Sequence, residues 1–345
     1  MRKFIAALAA AATIAVAAGA PAAQAETRLT GSGASFPFPI YSAWFKDFSA
    51  TNSDGVTVDY QSKGSGAGIQ DLVNGVVDFA ASDAAMTDEE MAQVQSGVVL
   101  LPMTAGEVVL AYNLPEVAEL KLPRDIYPEI FAGKIETWND PRIAEANPGV
   151  ELPDTPITVV VRSDSSGTTF NFTSHLAAID TAFAEEVGEG KTVQWPSISR
   201  VVKAPKNDGV TATVMQTPGA IGYIEYGFAK MTGTPMATVE NAAGEFVAPG
   251  GEGGALALDT AEFDTNMRAF ITDPQGAGAY PMATFTWMLF YKSGQDEAKV
   301  AAIKDMIEYG LTTGQESAEE LGYIPMPESV IEKVRAAAEQ IGASS

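Results

Sequence analysis

The sequence predicts a parallel α/β fold of about two domains. Apolar runs of strand length alternate with stretches whose apolar residues recur at helical spacing. Turns rich in Gly and Ser stand where strands hand over to helices. A length of 345 residues, 46% hydrophobic and only 19% charged, supplies a sizeable core and rules out wholesale disorder.

Residues 1–25 stand apart from the fold. Arg2 and Lys3 precede an apolar run over 4–18, and Ala23-Gln24-Ala25 offers small residues to a signal peptidase. A signal peptide cleaved after Ala25 is therefore expected, and with it a soluble product exported to a bacterial periplasm. The run falls short of the roughly 20 residues that span a bilayer.

The elements follow in order. Residues 28–30 read as a short strand running into Gly31-Ser32-Gly33-Ala34-Ser35, and 40–48 as a helix behind Pro37 and Pro39. Residues 56–60 alternate like a strand, 64–68 form a Gly-rich turn, and a helix opens at 69. Residues 76–82 are a strand ending at Asp83. Further along, 107–113, 157–162, 220–224 and 284–291 read as strands. Residues 126–131, 168–176, 297–311 and 328–341 read as helices, and 248–254 as a loop.

Composition removes several function classes. With no Cys there is no disulfide, no thiol nucleophile and no Cys-bound metal. The single His, His175, excludes a His-rich metal site. A formal charge of −23 argues against nucleic acid, whose binding rests on Lys and Arg at phosphates.

Four junctions share one chemistry: Gly33-Ala34-Ser35-Phe36, Gly64-Ser65-Gly66, Ser82-Asp83, and residues 162–169. Helix N-termini carry unpaired N–H groups and partial positive charge, Gly lets an anion approach, and hydroxyls add donors. Taken singly, each turn reads as an ordinary N-cap. Arg162 shifts the balance, because a guanidinium directly before the Ser165-Ser166-Gly167-Thr168 turn suits a tetrahedral oxyanion, with Asp164 placed to hold it. Asp83 is the informative residue. An ionised carboxylate only accepts, so it repels a fully deprotonated oxyanion but takes a hydrogen bond from one that bears an O–H. Such a group separates phosphate from sulfate by roughly tenfold to a thousandfold. As an alternative, Asp83 or Thr87 caps the helix that follows.

Residues 29–37, 77–83, 133–140, 161–170 and 218–226, in this order, resemble the periplasmic phosphate-binding proteins of high-affinity phosphate ABC transporters. The resemblance spans nearly the whole mature chain. It implies a two-lobed α/β periplasmic binding protein of type II with a hinge and an interdomain ligand cleft. The first lobe is expected to comprise 26–104 and 281–345, and the second 105–280. It implies a phosphate shell of Ser35, Phe36 (through its backbone N–H), Ser65, Asp83, Arg162, Ser166, Gly167 and Thr168, with Asp164 behind the Arg. It further implies a monomer that delivers inorganic phosphate to the membrane components of the transporter, with no cofactor, no metal and no catalysis. The stretch 204–209 departs from the family's Gly-Lys-Gly-Asn-Asp-Gly and is expected to touch none of these residues.

Two other readings remain. A secreted phosphatase or esterase would use Ser166 as nucleophile, but such a serine needs a base. His175 lies about two turns, roughly 10 Å, along the same helix. A binder of another oxyanion, such as molybdate or a phosphonate, is disfavoured only by Asp83 and the resemblance. His175 is expected on the helix surface or half-buried, and the four Trp in core or hinge packing.

Overall fold

The computed structural model describes residues 27–342, so the expected signal peptide and its cleavage site lie outside the described residues. Eleven strands are present among them: β1 (Arg28–Gly33), β2 (Thr57–Ser62), β3 (Phe79–Ser82), β4 (Val98–Tyr112), β5 (Lys121–Leu122), β6 (Thr158–Arg162), β7 (Val201–Ala204), β8 (Ala220–Glu225), β9 (Thr238–Glu240), β10 (Phe246–Val247) and β11 (Ala283–Tyr291). Eight form one sheet in the order β2-β1-β3-β11-β4-β8-β6-β7, and β10-β9-β5 form a small second one.

The sheet is mixed rather than parallel. β1 pairs in parallel with β2 and β3, and β6 with β7 and β8. Between these groups β11 and β4 run antiparallel to their neighbours. Every residue of β4 is buried, as are all but the last of β11. A continuous apolar run is what a strand buried on both faces needs, and direction leaves no mark on it. β4 also starts at Val98, well before the expected 107. It pairs with β11 as far as Glu107 and with β8 from Val108, so one strand belongs to both halves of the sheet.

Two aromatic clusters occupy the two halves. Phe45, Tyr60 and Phe79 meet around β1–β3, with Phe79 stacked on Phe290. Phe131, Phe172, Trp195 and Tyr223 meet around β6 and β8, where Phe172 stacks on Tyr223 at 4.4 Å. Trp44, Trp138, Trp195 and Trp287 are all buried, in line with core packing.

Helix starts place the turns. The helix Ser65–Val73 begins inside the Gly-rich turn and not at 69, because Gly64 takes a φ of 96° that lets the chain enter the helix four residues early. Thr87 caps the helix Asp88–Ala92 in a reciprocal box with Glu90, which leaves Asp83 free of capping. Ser166 caps the helix Gly167–Ile179. The turn over 248–254 ends in the short helix Gly253–Leu258.

Candidate anion-binding site

β1, β2 and β3 run one way and β6, three antiparallel pairings away, runs the other, and the turns that follow their C-terminal ends carry the singled-out residues. Ser35, Phe36, Ser65, Asp83, Arg162, Ser166 and Thr168 are each no more than 5% exposed. Hydrogen bonds join them into one buried cluster. On one side, the Ser65 hydroxyl accepts from the N–H groups of Asp83 at 3.3 Å and Gly167 at 3.0 Å, and lies 3.4 Å from Asp83 Oδ2. On the other, Arg162 donates from Nη1 to Thr168 Oγ1 at 3.2 Å.

Arg162 is fixed by its neighbour. Nε and Nη2 donate to the two oxygens of Asp164 at 2.8 and 2.5 Å, a fork that leaves Nη1 turned toward Thr168. Burial pushes the Asp164 carboxyl upward, but the bonds and charge of Arg162 and the Lys206 N–H outweigh it and hold it below the usual carboxylate range.

Asp83 has the opposite balance. Burial drives its carboxyl upward. A bond from Thr286 Oγ1 to Oδ1 at 2.9 Å, the Arg162 charge and the Ser65 hydroxyl pull it down, and the Asp164 charge opposes them. The result is a pKa pushed up to about 7. Burial thus outweighs the hydrogen bonds and the Arg162 charge and holds Asp83 above the usual carboxylate range.

Backbone donors complete the cluster. The N–H groups of Ser35, Phe36, Ser65 and Thr168 have no acceptor among the described residues. Each unpaired buried donor costs about 1–3 kcal/mol, so four in turns that hydrogen bonds bring together call for an acceptor with several oxygens. Ser166 Oγ instead accepts from the Thr169 N–H at 3.0 Å and serves its helix.

The stretch 204–209 does touch the cluster, contrary to expectation. Lys206 takes a left-handed φ of 58° and donates its N–H to Asp164 Oδ1 at 2.9 Å. That turn brings Asn207, fully buried, against Ser35 and Thr168. Only Asn207's place in an Asn-Asp-Gly run stood in the sequence, and nothing in it marked a long-range contact. Thr286 and Tyr223 were likewise not foreseen: Tyr223 OH accepts from the Arg162 N–H at 3.1 Å and meets Thr169 Oγ1 at 2.7 Å. Both come from strands whose buried polar atoms look, in sequence, like breaks in an apolar run.

His175 differs from its expectation. It is 1% exposed, and its Nε2 lies 2.7 Å from the Tyr127 hydroxyl. Burial pushes its pKa down to about 4, with the Asp273 charge opposing and the Arg124 charge adding to it. Its Nε2 meets Tyr127, Ser166 Oγ accepts from the Thr169 N–H, and no hydrogen bond joins His175 to Ser166 among the described residues.

The chain matches a family model described as "PBP superfamily domain" over residues 18–310. It is 39% identical over 312 residues to the phosphate-binding protein PstS of Pasteurella multocida, with 89% of each chain covered. It is 37% identical over 314 residues to the protein of the same name from Xylella fastidiosa strain 9a5c, covering 90% of this chain and 84% of that one. Its fold is similar to a high-affinity periplasmic phosphate-binding protein bound with phosphate at pH 8.5, with a TM-score of 0.72, 21% identity, and 92% and 100% of the two chains covered. It is also similar to a phosphate-binding protein from Stenotrophomonas maltophilia, with a TM-score of 0.69, 22% identity, and 90% and 94% covered.

Proposed function

The chain belongs to the PBP superfamily and, within it, to the phosphate-binding proteins, and from that premise we propose that it captures inorganic phosphate in the periplasm and delivers it to an ABC-type importer. The observation that carries this reading is one buried cluster holding a guanidinium, hydroxyls and unpaired N–H groups around a single exchangeable carboxyl. The donors neutralise and orient a tetrahedral anion. Asp83 meets the oxygen that bears the proton.

In this assignment Ser35, Ser65 and Thr168 donate hydroxyls, Phe36 and Gly167 donate N–H groups, and Arg162 makes the charge contact. Ser166 contributes through its place at the head of the helix. We assign 26–104 with 281–345 to one lobe and 105–280 to the other, joined at a hinge. The change of pairing partner within β4 after Glu107 supports a crossover close to that boundary. The Gly167 N–H now reaching Ser65 then becomes a donor to phosphate when the lobes admit it. The chain acts as a monomeric carrier without catalysis, and a chromogenic phosphate ester is expected to be left unhydrolysed, metals supplied or not.

Calorimetry with phosphate and sulfate tests the role of Asp83. Above its pKa of about 7 it only accepts, so sulfate is rejected; below, it carries a proton that it can donate to a sulfate oxygen. The phosphate-to-sulfate preference is therefore expected to rise from about pH 5.5 to about pH 8.5. Asp83→Asn, a permanent donor, is expected to lose this preference at every pH. A preference independent of pH and unchanged in the variant would refute the assignment.

A further inference from the structure

The hydroxyls of this site are useful to an anion only if their hydrogens point at it. A serine or threonine hydroxyl has two acceptor positions and one hydrogen, and it is free to rotate. Something must decide which way it faces. At Ser65 the direction is set from Asp83, whose N–H donates to Oγ at 3.3 Å and whose Oδ2 the hydroxyl faces at 3.4 Å.

At Ser35 and Thr168 the deciding group is Asn207. Its own N–H and its Nδ2 both donate to Ser35 Oγ, at 3.1 and 3.0 Å. Nδ2 also reaches Thr168 Oγ1 at 3.2 Å, where Arg162 Nη1 supplies the second donor. The orientation of the amide is itself fixed, because Asn207 Oδ1 accepts from the Glu225 N–H at 3.0 Å, a group that can only donate. Neither hydroxyl donates to another protein atom among the described residues.

We propose that Asn207 is a positioning residue of the anion site, which commits the Ser35 and Thr168 hydroxyls to act as donors by occupying the faces from which they would accept. This rests on the phosphate reading above. Through Asn207, the first turn of the helix Lys206–Gln216, outside the four anion turns, sets how many donors the site offers.

Asn207→Asp has nearly the same shape and reverses the polarity, since its carboxylate draws both hydroxyl hydrogens away from the anion. It is expected to weaken phosphate binding at least about a hundredfold near pH 8, whereas Asn207→Ala, which merely frees the hydroxyls, weakens it about tenfold. Acidification toward about pH 5 should narrow the gap between the two variants, because the introduced carboxyl, once protonated, donates again. In a Ser35→Ala, Thr168→Val background the Asn207→Ala loss should vanish; a purely structural role leaves it undiminished. Variants within threefold of wild type across that pH range, or an undiminished loss, overturn the proposal. Neutron diffraction on the wild-type protein decides the matter even if the variants do not fold: deuterons of Ser35 and Thr168 directed away from Asn207 support it, and deuterons directed at Asn207 refute it. Wild-type protein that binds no phosphate would overturn the functional reading instead, while the deuteron positions would still test the role of Asn207.

Discussion

Arg162, the one cation of the proposed shell, is held ready by its neighbour in a protein of formal charge −23. Its fork is occupied by Asp164, so one face of the guanidinium stays rigid and only Nη1 is turned toward Thr168. The pairing keeps a cation buried without leaving it unsatisfied. Arg162→Ala is expected to weaken phosphate binding by about 2–5 kcal/mol in a calorimetric titration, since it also leaves Asp164 without its partner. Affinity close to wild type would place the site elsewhere. Sequence reading reached this pair because the two residues are two apart and precede a Ser-Gly-Thr turn. It did not reach Asn207, whose contacts with Ser35 span 172 positions, or Thr286, which lies 203 positions from Asp83. Proximity of that kind is a product of folding and leaves no local pattern.

Among the elements, β4 and its partner β11 were half legible. Their apolar runs marked them as buried strands, but their antiparallel direction and the early start of β4 emerged only from pairing. The turn at 64–68 illustrates the reverse case: four of its five residues are helical, since glycine at 64 supplies the bend by itself. The point where β4 changes partner holds a second exchangeable acid. Glu107 is 2% exposed, with Oε2 accepting from the Gly250 N–H at 2.6 Å and Oε1 unpartnered beside Gly254. Burial pushes its pKa up to about 7, against the pull of the Gly250 N–H that donates to it. Between the ordinary carboxylate value and about 7 the folded chain holds a proton that the unfolded chain has released, so this contribution to stability is complete at low pH and is lost as pH rises through that window. Glu107→Gln escapes the loss. Relative to wild type it is expected to gain on the order of 3 kcal/mol between about pH 4.5 and about pH 7.5, read by urea unfolding. A gain independent of pH would refute the buried proton.

For the whole molecule, the charge of −23 and an anionic ligand are reconciled by distance. Surface charge is screened beyond about 8–10 Å at physiological salt, whereas the bonds from Arg162, the hydroxyls and the N–H groups act well inside that range. Raising ionic strength from about 0.02 M to about 0.3 M is therefore expected to leave the phosphate association rate flat or modestly faster in stopped-flow fluorescence. A steep fall would reveal an attractive field that the net charge does not supply. Ion pairs Lys191–Glu90 and Arg268–Asp88 join segments far apart in the chain near the same cluster, where Asn171 also bonds the Asp83 carbonyl at 2.7 Å. The sequence by itself determined the α/β class, the excluded chemistries and the turns that hold most of the proposed shell, because strand period, helix starts and Gly–Ser turns are encoded within a few residues. Only the tertiary structure decided the mixed strand directions, the raised pKa of Asp83 and the contacts of Asn207. Each depends on burial or on partners more than a hundred residues away, and desolvation and long-range hydrogen bonding exist only once the chain has closed on itself.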